Sequence, residues 1–377
     1  MDLSHEDQLR LNVLVRNVEA IRIDEHSMTV CGLSDKGEAQ VLLNPNCAAD
    51  RYLRLVREFL SNTALGSPGG YPVFLKRWTR MGEIKSTCLA ELLMLGEPEA
   101  VTAVTRSAAL TLALAHKAWW AAPTSDHARR LLQQSCVIEN NLGKELAAFL
   151  IEHLPFETEA QAIIESVQLI LQGDLIDAAS RDKLWDKGAK KSAYRIGFLN
   201  TLPHSLPVDV NPRSDRDQHT KVLTPLAEQG NPLATLLLVV FDKMGQAFIQ
   251  TAEAALRRPT DQDTVVFLVD TIGHYFAAAR CMDNHSRDMN EISDHAKTLL
   301  SHALKGQSDQ TDLVELIKAA PELEHDILSI LILACVGDPV VTPVFAQTDA
   351  VGTLMRRKLE PVTTPIFAQL ENLQWSK

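Results

Sequence analysis

The spacing of apolar residues changes character once along the chain. The first 82 residues hold three short runs of β-forming residues, separated by the turn-forming sequences 25–27 and 34–37. These runs are 18–24, 28–33 and 38–43. Apolar and polar residues alternate in the first of them, as in a half-buried strand. We therefore predict a small antiparallel β-meander, flanked by helices at about 3–15 and 49–61.

From Ser86 onward, apolar residues recur with the 3.6-residue period of amphipathic helices. The predicted helices are 86–95, 97–106, 108–121, 125–134, 139–153, 158–172, 178–187, 190–201, 217–229, 232–257, 261–280, 287–305, 311–319, 321–336, 343–357 and 365–373. Four of their starts pair a capping residue with a proline at the first helical position. These pairs are Thr224-Pro225, Asn231-Pro232, Thr342-Pro343 and Thr364-Pro365.

Many helices with short connections are typical of antiparallel helical hairpins. The hexapeptide at 342–347 recurs in modified form at 364–369, as in a repeat or as in two helices that start alike. The stretch 203–220 is rich in proline and polar residues and interrupts the helical pattern. The predicted fold is mainly α, an antiparallel helical-hairpin (HEAT-like) stack in two lobes with a small N-terminal antiparallel β-meander. The predicted domains are a head at 1–82, a lobe at 83–202, a linker at 203–220 and a second lobe at 221–377.

Composition narrows the classes of function. The net charge of −11 repels phosphate backbones, which disfavours non-specific binding of DNA to the surface as a whole. The six cysteines are scattered without a CxxC motif, and we interpret them as reduced thiols that hold no cofactor. The acidic N-terminus lacks the features of a secretory signal. The longest apolar runs, 233–241 and 327–336, are shorter than the roughly 20 residues of a membrane span. We expect a cytoplasmic protein without membrane contact.

A glycine-rich segment at 66–82 is the most distinctive stretch of the sequence. The three glycines at 66, 69 and 70 let the backbone approach a ligand closely, and nearby cations and aromatic rings are typical of recognition surfaces. The segment lacks a Gly-Lys-Ser/Thr motif, so it is not a P-loop. An ordered connection between head and helices is the alternative. The candidate partner- or ligand-binding residues are Gly69, Gly70, Tyr71, Lys76, Arg77, Trp78 and Arg80.

A second basic and aromatic cluster lies at 181–195. Its cations are positioned to bind RNA phosphates or an acidic protein face, and its rings are candidates for base stacking. The alternative is the solvated face of an ordinary helix. The candidate residues are Lys183, Trp185, Lys187, Lys190, Lys191, Tyr194 and Arg195.

A segment rich in histidine and carboxylate residues is the best candidate for a metal site. Asp270 and His274 are four residues apart and share a helix face, as do Glu291 and His295. Carboxylate and imidazole groups on facing helices are how bundle metal sites are built. However, no repeated ExxH and no HExxH motif occurs, so an ordinary polar helix face is the competing interpretation.

Several segments carry a resemblance to a known family. These segments are the first four residues, the stretch 21–24, the glycine-rich segment, and the stretches 92–101 and 152–157. In them the sequence resembles the DsrS family, which is encoded with the dissimilatory sulfite reductase cluster of sulfur-oxidising bacteria. The likeness covers roughly the first 200 residues most clearly. It implies a soluble cytoplasmic protein with no assigned enzymatic activity or cofactor. It also implies a role in controlling sulfur-oxidation genes after transcription.

No catalytic signature such as GxSxG or a strand-linked GxGxxG occurs. We therefore expect a non-enzymatic accessory or regulatory protein of sulfur oxidation that binds a protein or RNA. The alternatives are a metal-dependent enzyme that uses the cluster at 270–302 and a purely structural helical scaffold.

Overall fold

The structure, a computed structural model of the chain, describes residues 3–66, 86–280, 286, 288–348 and 350–374. Within them the protein is mainly helical, with one small antiparallel sheet near the N-terminus. The predicted fold class is therefore confirmed. The chain divides into two compact units, 1–153 and 154–377.

The sheet of the first unit has the simplest antiparallel topology, with strand order β1-β2-β3. Its strands are Ala20–Asp24 (β1), Thr29–Ser34 (β2) and Gly37–Leu42 (β3). Ala20 pairs with Leu33, and Thr29 pairs with Leu42 on the other side of the central strand. The predicted meander is thus present, with each strand within a few residues of its predicted run.

The described part of the first unit also contains α-helices. They are His5–Val15 (α1), Ala49–Leu65 (α2), Ser86–Leu92 (α3), Pro98–Thr105 (α4), Leu112–Ala121 (α5), Ser125–Leu131 (α6), Ser135–Ile138 (α7) and Asn141–His153 (α8). Leu11, Val30 and Val56 lie in one core that joins α1, the sheet and α2. Inside this core the Tyr52 hydroxyl donates to the buried Asp7 carboxylate. Burial and this carboxylate raise the pKa of Tyr52.

The second unit is entirely helical in its described part. Its α-helices are Ala160–Ile170 (α9), Ala178–Lys187 (α10), Ser192–Thr201 (α11), Arg216–Glu228 (α12), Pro232–Phe241 (α13), Lys243–Arg257 (α14), Gln262–Tyr275 (α15), Met289–Leu304 (α16), Thr311–Ala319 (α17), Glu324–Leu333 (α18), Asp338–Phe345 (α19) and Gly352–Gln374 (α20). Short 3₁₀ turns occupy Leu154–Phe156, Ala277–Ala279 and Pro321–Leu323.

Helices close in sequence pack together in this unit, as expected of helical hairpins. The strongest contacts join α9 with α11, α12 with α13, and α18 with α20. Helix α14 also packs on α11 and α20, which brings distant parts of the chain into one core. Phe198, Phe241, Phe248 and Phe276 are fully buried there.

One of the four predicted Pro-marked helix starts is correct. The Asn231 side chain accepts hydrogen bonds from the backbone of Leu233 and Ala234, and Pro232 begins α13. The other three predictions are wrong, because Pro225, Pro343 and Pro365 lie inside α12, α19 and α20. Tertiary packing overrides the local proline signal at these places. The two similar hexapeptides also differ in context, since the first reaches the end of α19 and the second lies within α20.

The predicted helix 232–257 is two helices, with a bend of 76° between α13 and α14. Asp242 caps the second helix by accepting a hydrogen bond from the Lys243 backbone. No helix in the described ranges is long and apolar enough to span a membrane by itself. Two pairs of helices, each with a bend between its members, are long and apolar enough for a membrane span when taken together. These pairs are α13 with α14 and Pro321–Leu333 with α19.

The stretch 203–220, predicted as a linker, lies within the second unit. Its last residues form the start of α12. Arg213 is buried, and its backbone N–H donates to the carbonyl of Phe241. Its guanidinium also lies 3.8 Å from the centre of the Phe241 ring. These contacts attach the proline-rich stretch to the helical core.

Candidate anion-binding pocket

Two consecutive helices position the second basic cluster. Helix α10 begins after Asp177, whose side chain accepts a hydrogen bond from the Ser180 backbone, and ends at Lys187. Helix α11 begins at Ser192, and its N-cap Lys191 makes no side-chain capping bond. Only a short turn separates the two helices. The turn therefore places the end of α10 and the first turn of α11 side by side.

Arg195 is the central residue of this arrangement. Its guanidinium carbon lies 3.4 Å from the centre of the Trp185 ring, a cation–π contact between α11 and α10. Gly188 permits this approach, because a Cβ at that position would lie 2.8 Å from Cδ and Nε of Arg195. The Arg195 side chain thus lies against the Trp185 ring and occupies the space that a side chain at position 188 would fill.

A pocket of about 630 Å³ opens beside Arg195. Residues of the α10–α11 region form one side, and residues of α14 and its C-terminal end form the other. The lining residues are Trp185, Gly188, Ala189, Lys190, Ser192, Arg195, Val208, Val210, Gln250, Thr251, Ala254, Ala255, Arg258 and Thr260. Lys190, Arg195 and Arg258 are cations, and none of the described residues that line the pocket is Asp or Glu. A volume of this size accommodates a small organic ligand.

In the part of the chain that the structure describes, Arg195 has few of the polar partners that usually accompany a partly buried arginine. Its Nη1 atom is buried without a hydrogen-bond acceptor, and so is the Ser192 hydroxyl. Among the described residues, no carboxylate forms an ion pair with Arg195. Burial lowers the pKa of Arg195 to about 10, and the charge of Asp186 opposes this shift. A buried donor without an acceptor costs about 1–3 kcal/mol of stability. An anion that accepts a hydrogen bond from Arg195 would remove this cost, which favours anion binding.

The structure places the predicted basic patch in two environments. Lys183, Lys187 and Lys190 are exposed, while the Lys191 ammonium donates to the backbone carbonyl of Glu157 at 3.1 Å. Of the exposed lysines, Lys190 lines the pocket that contains Arg195.

The aromatic part of the patch requires a correction. Trp185 is 8% exposed and Tyr194 is 2% exposed, so neither ring presents a face for stacking on a base. Trp185 packs edge-on against Phe198 at 5.0 Å between ring centres, and burial raises the pKa of Tyr194. The apolar faces of α10 and α11 pack into the core, and this packing uses both rings.

Sequence inspection missed the residues that α14 contributes. Gln250, Thr251 and Arg258 are more than fifty positions from Arg195 and belong to no motif. The pair Arg257-Arg258 at the end of a helical pattern was a weak local signal. Only the packing of α11 on α14 brings these residues to the pocket.

The glycine-rich candidates Gly69, Gly70, Tyr71, Lys76, Arg77, Trp78 and Arg80 lie outside the described residues. Their role in binding therefore stays a prediction. None of the four described cysteines, Cys31, Cys47, Cys136 and Cys335, forms a disulfide bond.

The candidate metal residues engage other partners. The Asp270 carboxylate accepts a hydrogen bond from the Asp338 backbone at 2.6 Å, and burial raises the pKa of this carboxyl. Nδ1 of His274 donates to the carbonyl of Asp270, and Glu291 accepts from the Ser286 hydroxyl. His295 is exposed on α16. Within the described ranges, no group of three or more His, Cys, Asp or Glu side chains is arranged to hold a metal ion.

Fold and pocket together define a mainly helical protein with a small β-meander and a basic pocket in its second unit. Comparisons with protein-family models, with curated proteins and with solved structures found no match to this chain.

Proposed function

We propose that this chain is a non-enzymatic accessory protein that acts by binding, and that the Arg195 pocket holds a phosphate group of an RNA partner. The observation that supports this proposal is the partly buried Arg195, whose Nη1 has no hydrogen-bond partner among the described residues. An arginine fork is well suited to two oxygens of one phosphate. The proposed cytoplasmic role in regulating sulfur oxidation rests on the family resemblance alone.

The charges around the pocket favour a polyanion over a single small anion. Lys190 lines the pocket, and Lys183 and Lys187 are exposed on α10 together with Asp182 and Asp186, whereas the whole chain carries a net charge of −11. Such a local concentration of cations attracts a phosphate backbone, and the attraction weakens as salt rises. Because Trp185 and Tyr194 are buried, binding through this surface reads the backbone and not the bases.

Binding of a labelled single-stranded RNA oligonucleotide to the full chain tests the proposal. Fluorescence anisotropy of wild type, Arg195→Gln and Arg258→Ala is compared with that of Lys318→Ala, an exposed lysine on α17 outside the pocket. We expect Arg195→Gln to weaken binding about tenfold or more and Arg258→Ala to weaken it less, while Lys318→Ala has no effect.

Thermal melting of each variant separates loss of the ligand contact from loss of the fold. Arg258 is exposed, so its variant remains informative even if Arg195→Gln is destabilised. RNA affinity that is unchanged in both pocket variants contradicts the proposal. A polyglutamate peptide that binds in place of RNA, and loses affinity in the same variants, assigns the pocket to an acidic protein instead.

A further inference from the structure

A second pocket, of about 640 Å³, lies elsewhere in the 154–377 unit and has the opposite charge. Its lining residues are Arg213, Asp215, Gln218, His219, Glu322, Leu323, His325, Asp326 and Asn372. They come from the segment before α12, from α12, from the 3₁₀ turn Pro321–Leu323, and from α18 and α20. Three carboxylates thus share this pocket with a single arginine.

Arg213 is fully engaged by two of these carboxylates. Its Nε and Nη2 atoms lie 2.6 Å and 2.8 Å from the two oxygens of Asp215, and Nη1 contacts Asp326. Its guanidinium therefore offers no open face to an incoming anion. The third carboxylate, Glu322, is 47% exposed, and among the described residues no lysine or arginine pairs with it. One carboxylate charge is left for a ligand.

His219 adds a buried acceptor beside that carboxylate. Its side chain is 7% exposed and lies between two carboxylates, with Nε2 3.3 Å from Asp215 and Nδ1 3.6 Å from Glu322. A carboxylate only accepts hydrogen bonds, so in the neutral imidazole Asp215 favours the tautomer that carries the proton on Nε2. Nδ1 is then an acceptor, and it has no hydrogen-bond partner.

Two acceptors therefore face each other without a donor between them. The imidazole Nδ1 lone pair and the Glu322 carboxylate are too far apart and of the wrong kind to bond to one another. A protonated primary amine carries three N–H donors on one small cation, and it matches both acceptors together with the surplus negative charge. We propose that this second pocket binds the ammonium group of a small amine ligand.

Calorimetric titration of the full chain with butylammonium chloride tests the assignment. Tetramethylammonium serves as the control ligand, because it has the same charge and no N–H donor. We expect saturable binding of butylammonium only. Glu322→Gln, which preserves size and removes the charge, is expected to weaken that binding about tenfold.

The matched control variant is Glu324→Gln, an exposed carboxylate two residues away that does not line the pocket. It is expected to bind butylammonium as wild type does. Arg195→Gln should also leave amine binding unchanged, so this result is independent of RNA binding at the other pocket. Absence of saturable binding, equal binding of tetramethylammonium, or wild-type affinity in Glu322→Gln overturns the assignment.

Discussion

At the scale of single residues, the buried cation Arg213 contributes to the stability of the second unit. Arg213 has a side chain that is 6% exposed, and it contacts Asp215, Asp326 and the ring of Phe241. Burial alone would raise the pKa of Asp215, but the two contacts from Arg213 outweigh it and hold the pKa below its ordinary value. Removal of one partner from such a cluster leaves uncompensated buried charge.

We predict that Arg213→Met lowers the free energy of unfolding by about 3–5 kcal/mol at neutral pH. Arg216→Met is the control because the Arg216 side chain is 38% exposed, and we expect this substitution to change stability by less than about 1 kcal/mol. Chemical denaturation monitored by circular dichroism measures both. A loss in Arg213→Met no larger than that in Arg216→Met contradicts the prediction.

The same cluster predicts the direction of a pH effect. Because the folded-state pKa of Asp215 is lowered, its contribution to stability is fully present above the ordinary value of 3.8 and is lost as pH falls through the folded value. In Arg213→Met this contribution is absent. The stability difference between wild type and variant should therefore narrow on acidification.

At the scale of elements, the bend between α13 and α14 depends on close backbone contact. A Cβ on Gly245 would lie 2.3 Å from the carbonyl oxygen of Val239 and 2.5 Å from Cα of Val240. These are backbone atoms of the preceding helix, and they have little freedom to move. The glycine therefore permits the two helices to meet at 76°.

We predict that Gly245→Ala destabilises the protein by about 1–3 kcal/mol, as overpacking does. In an unhindered helix the same substitution would stabilise it by roughly 1 kcal/mol, so the sign of the change is decisive. Met244→Ala, at the adjacent exposed position, is the control. Thermal melting of the two variants provides the measurement.

The helices and strands also show which structural features the local sequence pattern predicts correctly. The period-2 alternation at 20–24 and the helical period after Ser86 correspond to elements of the structure, because both depend on neighbours within a few residues. The bend at Asp242 follows the apolar run 233–241 and interrupts the segment 232–257, so the single helix predicted there was wrong. The helix starts predicted at three prolines were wrong for a similar reason, because packing of the whole helix outweighed a local start signal. These prolines are Pro225, Pro343 and Pro365.

At the scale of the whole molecule, the 154–377 unit contains every described residue that lines the two pockets. It also has its own buried core of aromatic and aliphatic side chains. A compact unit with its own core is the physical requirement for independent folding.

We predict that a fragment of residues 154–377 unfolds cooperatively and binds butylammonium and RNA as the full chain does. Circular dichroism during denaturation measures the first property, and the two binding assays measure the second. The Arg195→Gln fragment is the control for RNA binding. A fragment that unfolds gradually, without a cooperative transition, contradicts the division into units.

The sequence by itself determined the type of each region, with a β-meander first, helices afterwards, and a concentration of cations at 181–195. These properties follow from composition and from periods of two to four residues. Only the tertiary structure decided that Trp185 and Tyr194 are buried and that Arg258 joins Arg195. It also decided that Arg213 meets Asp326 across 113 positions of sequence. Contacts between distant residues depend on how whole helices pack, and no local period encodes that packing.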